Sequence, residues 1–412
     1  MTYHIKAPQT LQMDILLPSS KSISNRVLIL NALSNHPKEI NNIAICDDTE
    51  VVKKALSEER NPVDIGAAGT AMRFLTAYFS GQNGNYTITG TERMKNRPIK
   101  ILVDALRQAG AQIEYMEKEG FPPLQIKGHT LKGGDIHLDG SVSSQYISAL
   151  LMIAPVMTNG MRLHLTGEVI SRPYINITIK LMRKYGVIVF EEGQTLTIPP
   201  QQYSPVENFT VESDWSAASY WYEMIALCKN NYATVSLEGL QSDSLQGDAS
   251  IVGLFDKLGV KTTFTSSGIT LTKKQPEIDH PFSFDFVSMP DMAQTAVVTC
   301  ALMDIPFRFT GLQSLKIKET DRLTALQTEM RKLGYPLDIC DGNTLEWTGE
   351  KCDAETMPLI ETYEDHRMAM AFAPASLCTG NGIQIADPGV VSKSYPFYWD
   401  DLQKAGFTIT GE

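Results

Sequence analysis

From Asp14 to Leu33 the chain reads DILLPSSKSISNRVLILNAL, which parses as a strand, a turn and a helix. Asp14 to Leu17 is a short strand, Pro18 to Ser20 the turn, and from Ser22 onward Ile23, Val27 and Leu30 recur on one helical face. Lys21 and Arg26 therefore stand beside the first turn, where exposed amides and the helix dipole already present positive charge. A bound anion would relieve that conflict.

The same plan returns along the whole chain. After a short apolar run, further helices start near Thr70 (GAAGTAMR), Ser144 (SVSSQY), Ser216 (ESDWSAAS), Asp291 (MPDMAQ) and Arg367 (EDHRMAM). Each is followed by a second helix that stops at a glycine, and Gly110, Gly186, Gly259, Gly334 and Gly406 are spaced by 72 to 76 residues. A spacing that even marks repeated units, six in all, and glycine suits the left-handed position after a helix.

At 412 residues the chain is expected to split into two or three domains, and 43% hydrophobic with 20% charged residues is ordinary for a globular protein. A net charge of −11 excludes a broad basic footprint for nucleic acid, leaving anion binding to local clusters of cations. No secretory apolar segment opens the chain and no run approaches a membrane span, so a cytoplasmic protein is expected. Six cysteines form no CxxC pair and seven histidines show no HExxH spacing, which argues for buried thiols rather than a metal site.

Several junctions carry chemistry. Gly66 and Gly69 precede the helix bearing Thr70 and Arg73, where a tight turn and a ligand approach are both open readings. Arg93, Lys95 and Arg97 precede a helix expected to start near Pro98; a solvated loop is the usual fate of such a run, and Arg97, fixed against the proline, is the one expected to face a ligand. Ser143, Ser144 and Gln145 exceed what one cap requires, whereas Ser171, ahead of Arg172, Pro173 and Tyr174, reads mainly as a cap.

The junction ESDWSAAS holds no cation and reads as a crossing between domains. Asp291 at a helix start is either a stabilising cap or, with cations nearby, a base. In LKIKETDRLTALQTEMRKLG, Leu323, Leu326, Met330 and Leu333 define the buried face, which puts Lys318 and Glu319 just ahead of the helix and Arg322 in its first turn. Asp365, His366 and Arg367 mark the sixth junction, and Lys393 precedes the last helix. His366 alone reads as structural. Collected, these cations and the carboxylates Asp291 and Glu319 suit proton transfer beside anionic substrates.

With SKSISNR, AGTAMR, RPI, SSQY, SRPY, KETDRL, DHRMAM and the lysine before Tyr395 in view, the chain resembles the 5-enolpyruvylshikimate 3-phosphate synthase family from Lys21 to Lys393. The resemblance implies an α/β (α+β) fold of two similar globular domains, each of three βαβαββ repeats, with a ligand cleft between them. It places residues 1–18 with 214–412 in one domain and 19–213 in the other. It implies transfer of the enolpyruvyl group of phosphoenolpyruvate to the 5-hydroxyl of shikimate 3-phosphate through a tetrahedral intermediate, in the pathway to chorismate and aromatic amino acids.

Carried over by motif, Lys21, Ser22, Arg26, Ser143, Ser144, Gln145, Ser171, Tyr174, Asp291 and Lys318 are the expected shikimate 3-phosphate contacts. Lys21, Gly69, Arg97, Gln145, Arg322, Arg367 and Lys393 are the expected phosphoenolpyruvate contacts. Asp291 would accept the hydroxyl proton, Glu319 would protonate the methylene carbon, and Lys21 would assist. No metal or organic cofactor is implied, the partners are the two small-molecule substrates, and a monomer is expected. Ala67, Phe74 and Ser314 stand where the family pattern has asparagine, proline and asparagine.

Two rivals follow. The UDP-N-acetylglucosamine enolpyruvyl transferases share the fold but look for a cysteine that is absent between Cys46 and Cys228. A non-catalytic anion-binding paralogue would be expected to lose Asp291 or Glu319, and both are present.

Overall fold

The computed structural model describes residues 1–57, 61–141, 143–278 and 281–411, so Val142 of the SVSSQY string lies outside the described residues. By internal contacts the chain divides into two compact units, Met1–Pro18 with Glu212–Glu412, and Ser19–Val211. The architecture is α/β, built on five four-stranded sheets among the described residues.

One repeat shows the plan. Strand Val63–Asp64 leads through helix Gly69–Ser80 to the parallel strand Gly84–Thr89, and helix Lys100–Gln108 then leads to Gln112–Tyr115 and Leu124–Gly128, which close the sheet antiparallel. A crossover helix is what joins parallel neighbours, and a short turn is what joins antiparallel ones. The same βαβαββ order recurs from Gly134–Asp139 through Thr195–Ile198 and from Phe282–Asp285 through Thr344–Trp347. The helix-ending glycines at 110, 186, 259, 334 and 406 all adopt φ between 81° and 101°, the left-handed region that a β-carbon disfavours.

The six-fold reading holds for five sheets and departs at the first repeat. Strand Gln12–Leu16, expected to lead into helix Lys21–Ala32 within one unit, instead pairs in parallel with Thr234–Glu238, from Gln12 opposite Thr234 to Leu16 opposite Glu238. Likewise Thr2–Lys6 sits between Ile383–Ala386 and Thr408–Gly411. Ile15 and Leu17 are buried with Trp215 and Val235, and that apolar burial fixes the choice. Helices Lys21–Ala32 and Asp47–Ser57 are bordered by the bridges Ser34–Tyr203 and Asn41–Thr210.

The helix expected near Pro98 runs from Lys100; ahead of it the Ile99 amide donates to the Gly120 carbonyl at 2.9 Å and the Pro98 carbonyl accepts from the Tyr146 hydroxyl at 2.6 Å. A separate short helix, Glu92–Lys95, capped by Thr91, precedes it.

Helix Trp215–Leu227 is buried on nearly every face, as a helix in the middle of a core must be. It carries Glu223, which has no exposure and whose two carboxyl oxygens meet no hydrogen-bond partner among the described residues. Burial raises its pKa well above the usual carboxylate range. Among the described residues no helix is long and apolar enough to cross a membrane.

Candidate active site

In the unit Ser19–Val211, helix Lys21–Ala32 opens with Ser20 as its cap, accepting from the Ile23 amide at 3.4 Å. Lys21 pairs at 3.4 Å with Asp48 from the next helix, a partner the sequence did not disclose. Arg26 is buried, and its guanidinium donates to Thr178 Oγ1 at 2.7 Å, the Ser22 carbonyl at 2.7 Å, the Tyr174 carbonyl at 3.2 Å and Ser148 Oγ at 3.3 Å. Each of these acceptors is uncharged. Burial lowers the Arg26 pKa to about 10, although the Tyr174 hydroxyl partly offsets it. The Phe74 ring lies 5.4 Å from the guanidinium carbon, so the residue that departs from the family pattern packs against a cation of the expected site.

Helix Gly69–Ser80 positions two more expected contacts. A β-carbon built on Gly69 would meet Arg97 Nη1 at 2.6 Å, so only glycine lets that guanidinium lie over the helix start. Thr70 Oγ1 accepts from Gln145 Nε2 at 3.2 Å. Arg73 is structural in its visible contacts, donating to the Gly69 carbonyl at 2.9 Å and lying 5.8 Å from the Tyr146 ring. Lys95, at the end of the short helix Glu92–Lys95, pairs with Glu117 at 3.0 Å and Glu92 at 3.2 Å, so the run expected as a loop forms a helical turn instead.

Ser143 caps helix Ser144–Ile153 by accepting from the Gln145 amide at 3.3 Å, and Ser144 is its first residue. Ser171, read mainly as a cap, makes no side-chain cap bond and holds φ at 55°, where non-glycine residues are uncommon. Its carbonyl accepts from the Tyr174 amide at 3.1 Å.

In the unit Met1–Pro18 with Glu212–Glu412, one ionic network gathers Asp291, Lys318, Glu319, Arg322 and Arg367. Asp291 lies in a single 3-10 turn, Pro290–Met292, and does not cap the helix that follows. It meets Arg322 Nη1 at 2.9 Å, Arg367 Nη2 at 3.2 Å and Lys318 Nζ at 3.3 Å. Burial pushes its carboxyl up, but Arg367, Lys318 and Arg322 together outweigh that and hold it well below the usual range.

Arg322, 1% exposed, is the hub. It also donates to Asp365 at 2.6 Å and to Glu319 at 2.8 Å. Burial disfavours its charge, and Asp365, Glu319 and Asp291 more than restore it. Asp321 caps the helix at the Leu323 amide, which leaves the Arg322 side chain to turn inward. Lys393 donates to the Glu364 carbonyl at 2.8 Å, one residue before Asp365.

Sequence reasoning missed two members of this network. Ser216 Oγ accepts from Arg367 Nη2 at 3.4 Å and donates to Asp248 Oδ2 at 2.5 Å, so the junction read as a plain crossing touches the site. Asp214 of the same junction caps its helix at the Ser216 amide, 2.8 Å. Chemically, the network offers an ionised carboxylate ringed by three cations, with a second carboxylate beside them. That arrangement can hold anions and exchange protons with them.

A family model described as EPSP synthase (3-phosphoshikimate 1-carboxyvinyltransferase) matches residues 5–58 and 51–402. A protein of Bacteroides fragilis (strain ATCC 25285) named 3-phosphoshikimate 1-carboxyvinyltransferase is 57% identical over 410 residues, covering 99% of this chain and 99% of the relative. A Sulfurovum sp. (strain NBC37-1) protein of the same name is 35% identical over 433 residues, covering 97% and 98%. Among solved structures, an EPSP synthase from Acinetobacter baumannii aligns with a TM-score of 0.78 at 20% identity over 100% of both chains. The enolpyruvyl transferase NikO from Streptomyces tendae aligns with a TM-score of 0.78 at 16% identity over 99% and 98%. At those identities the two structures speak for the fold.

Proposed function

The chain belongs to the EPSP synthase family, and from that premise we infer that it is a 3-phosphoshikimate 1-carboxyvinyltransferase of the shikimate pathway. It transfers the enolpyruvyl group of phosphoenolpyruvate to the 5-hydroxyl of shikimate 3-phosphate and releases phosphate. The observation that carries the mechanism is the Asp291 carboxylate held among Lys318, Arg322 and Arg367 with Glu319 on the same arginine.

In this reading Asp291 accepts the 5-hydroxyl proton as that oxygen bonds to the central carbon of phosphoenolpyruvate, and Glu319, protonated from solvent before this step, delivers its proton to the methylene carbon, giving a tetrahedral intermediate. The Glu319 carboxylate so formed takes a proton back from the new methyl group as the carbon–oxygen bond to phosphate breaks and phosphate leaves. In the unliganded state the cations hold Asp291 too acidic to be a good base. Substrate phosphate and carboxylate groups would draw Arg322, Arg367 and Lys318 toward themselves, and the proton affinity of Asp291 would rise as they do.

We assign phosphoenolpyruvate to Lys21, Gly69, Arg97, Gln145, Arg322, Arg367 and Lys393. Shikimate 3-phosphate falls to Lys21, Ser22, Arg26, Ser143, Ser144, Gln145, Ser171, Tyr174, Asp291 and Lys318. Arg26 supports this assignment, since a buried cation with only neutral acceptors is completed by an anion. A monomeric, cytoplasmic enzyme is part of the same proposal.

The test is phosphate release by the purified protein given phosphoenolpyruvate with and without shikimate 3-phosphate. Release that needs both, with the enolpyruvyl ether identified by mass, is expected. Binding of shikimate 3-phosphate without turnover above that of Glu319→Gln would instead identify a non-catalytic paralogue.

A further inference from the structure

We propose that Glu329 is a positioning residue for phosphoenolpyruvate, clamping a left-handed turn at Tyr363 and Glu364 that holds Lys393 and Arg322 in place, an inference that rests on the site assignment above. The Asp365 amide donates to the Thr362 carbonyl at 2.8 Å, and the two residues between them, Tyr363 and Glu364, have φ of 53° and 56°. Two successive positive values inside such a bond belong to a turn that glycine, asparagine and aspartate ordinarily fill. A tyrosine followed by a glutamate is unfavourable there, and the turn persists only where its surroundings hold it.

What holds it is helix Arg322–Lys332. Arg322 and Glu329 stand two turns apart on one face of that helix, and both side chains are buried. Glu329 accepts from the Tyr363 hydroxyl at 2.7 Å through Oε1 and from the Glu361 amide at 3.1 Å through Oε2. Lys332 ties this carboxylate to the preceding strand, donating to Oε2 at 2.7 Å and to the Leu359 carbonyl at 2.7 Å. The Thr328 hydroxyl, on the same helix, also approaches that of Tyr363. Past the turn, Arg322 donates to the Asp365 carboxylate at 2.6 and 3.2 Å. One helix therefore grips the segment on both sides of its left-handed pair.

The turn matters for what it presents. Its Glu364 carbonyl accepts from Lys393 Nζ at 2.8 Å, and Asp365, the next residue, orients Arg322 and accepts from the Arg367 amide at 2.9 Å. Lys393, Arg322 and Arg367 are three of the assigned phosphoenolpyruvate contacts. Without the anchor on Tyr363, the backbone of a tyrosine and a glutamate relaxes toward negative φ, and the Glu364 carbonyl turns away from Lys393. Glu329 and Tyr363 act through these groups, so both are positioning residues.

Steady-state kinetics of full-length Tyr363→Phe, Glu329→Gln, Glu364→Gly, the double variant of Tyr363→Phe with Glu364→Gly, and Lys393→Met, with each substrate varied in turn, tests the clamp. Tyr363→Phe keeps the ring and removes only the hydroxyl. It is expected to raise the KM for phosphoenolpyruvate roughly 3- to 10-fold, the scale of one hydrogen bond, with a smaller change for shikimate 3-phosphate. Glu329→Gln turns one accepting oxygen into a donor and should act in the same direction. Glycine takes positive φ without help, so Tyr363→Phe should cost markedly less on the Glu364→Gly background than on the wild type.

An unchanged KM in Tyr363→Phe, an equal cost of that change on both backgrounds, or equal rises for the two substrates would overturn the clamp. A lower melting temperature with both KM values unmoved would do the same, leaving Glu329 a purely structural group. If Glu329→Gln does not fold, Tyr363→Phe and its double variant decide alone. Lys393→Met should itself raise the KM for phosphoenolpyruvate. If it does not, the assignment of Lys393 is at fault and the clamp's role in binding falls with it.

Discussion

Gly69 and Arg97 approach so closely that a β-carbon on the glycine would stand 2.6 Å from Nη1 and 2.9 Å from Nη2 of the guanidinium. The intruded group is the far end of a flexible side chain, so Gly69→Ala should leave stability nearly intact while pushing Arg97 off its position. Loss of one charge-assisted contact, about 1.5 to 3 kcal/mol, corresponds to a KM for phosphoenolpyruvate higher by roughly 10- to 150-fold. Kinetics and a thermal melt on the same preparation check both halves.

Phe74→Leu should weaken shikimate 3-phosphate rather than phosphoenolpyruvate. The ring faces Arg26 from 5.4 Å in a fully buried setting, where a cation over an aromatic face is worth about 0.5 to 2 kcal/mol. A KM for shikimate 3-phosphate raised by roughly 2- to 30-fold is expected, and Phe74→Tyr should stay near wild type. Equal losses for both substrates would point to general unfolding instead.

Asp291→Asn should lower kcat by about 100-fold or more, the scale of a lost general base. It should also cost stability, with a sign fixed by linkage. The Asp291 carboxyl is held well below its unfolded value, so its stabilising contribution is present above the ordinary carboxylate range and is lost as pH falls through its folded pKa. Urea midpoints of wild type and variant should therefore differ at neutral pH and converge in strong acid.

Glu223 has the opposite sign. Its folded pKa is raised by burial, so the unfolded chain releases this proton first and stability is lost progressively as pH rises above the unfolded value. Glu223→Gln removes that loss. The variant should match wild type at about pH 4 and gain on it by about 1.4 kcal/mol per pH unit above that, until the folded carboxyl itself ionises. Denaturant titrations across that range would show a constant gap if the carboxyl is not buried as described.

What the sequence could disclose was local. The helix-ending glycines at 110, 186, 259, 334 and 406 declare themselves because a left-handed backbone is a one-residue requirement, and the KETDR run because its cations stand at a recurring helix start. Pro98 was legible for the same reason, since a proline ahead of an apolar period marks a helix start, and the helix begins at Lys100. Ser216 and Asp248 were not legible because their partners are 151 and 32 residues away and a serine at a helix start looks like a cap. The pairing of Gln12–Leu16 with Thr234–Glu238 was hidden for the same reason, since register across that separation is decided by burial rather than by local pattern.

That pairing also sets a timetable for synthesis. Strand Gln12–Leu16 leaves the ribosome long before Thr234–Glu238, and Thr2–Lys6 waits for Ile383–Ala386 and Thr408–Gly411 at the far end of the chain. At roughly 5 to 20 residues per second, those first two strands spend tens of seconds without neighbours while Ser19–Val211, which has all of its own strands, is already complete. Strand Gln12–Leu16 thus has an unpaired edge until Thr234–Glu238 has been made, and Thr2–Lys6 until Ile383–Ala386 has, so the discontinuous unit completes its sheets only after Ser19–Val211 has completed its own.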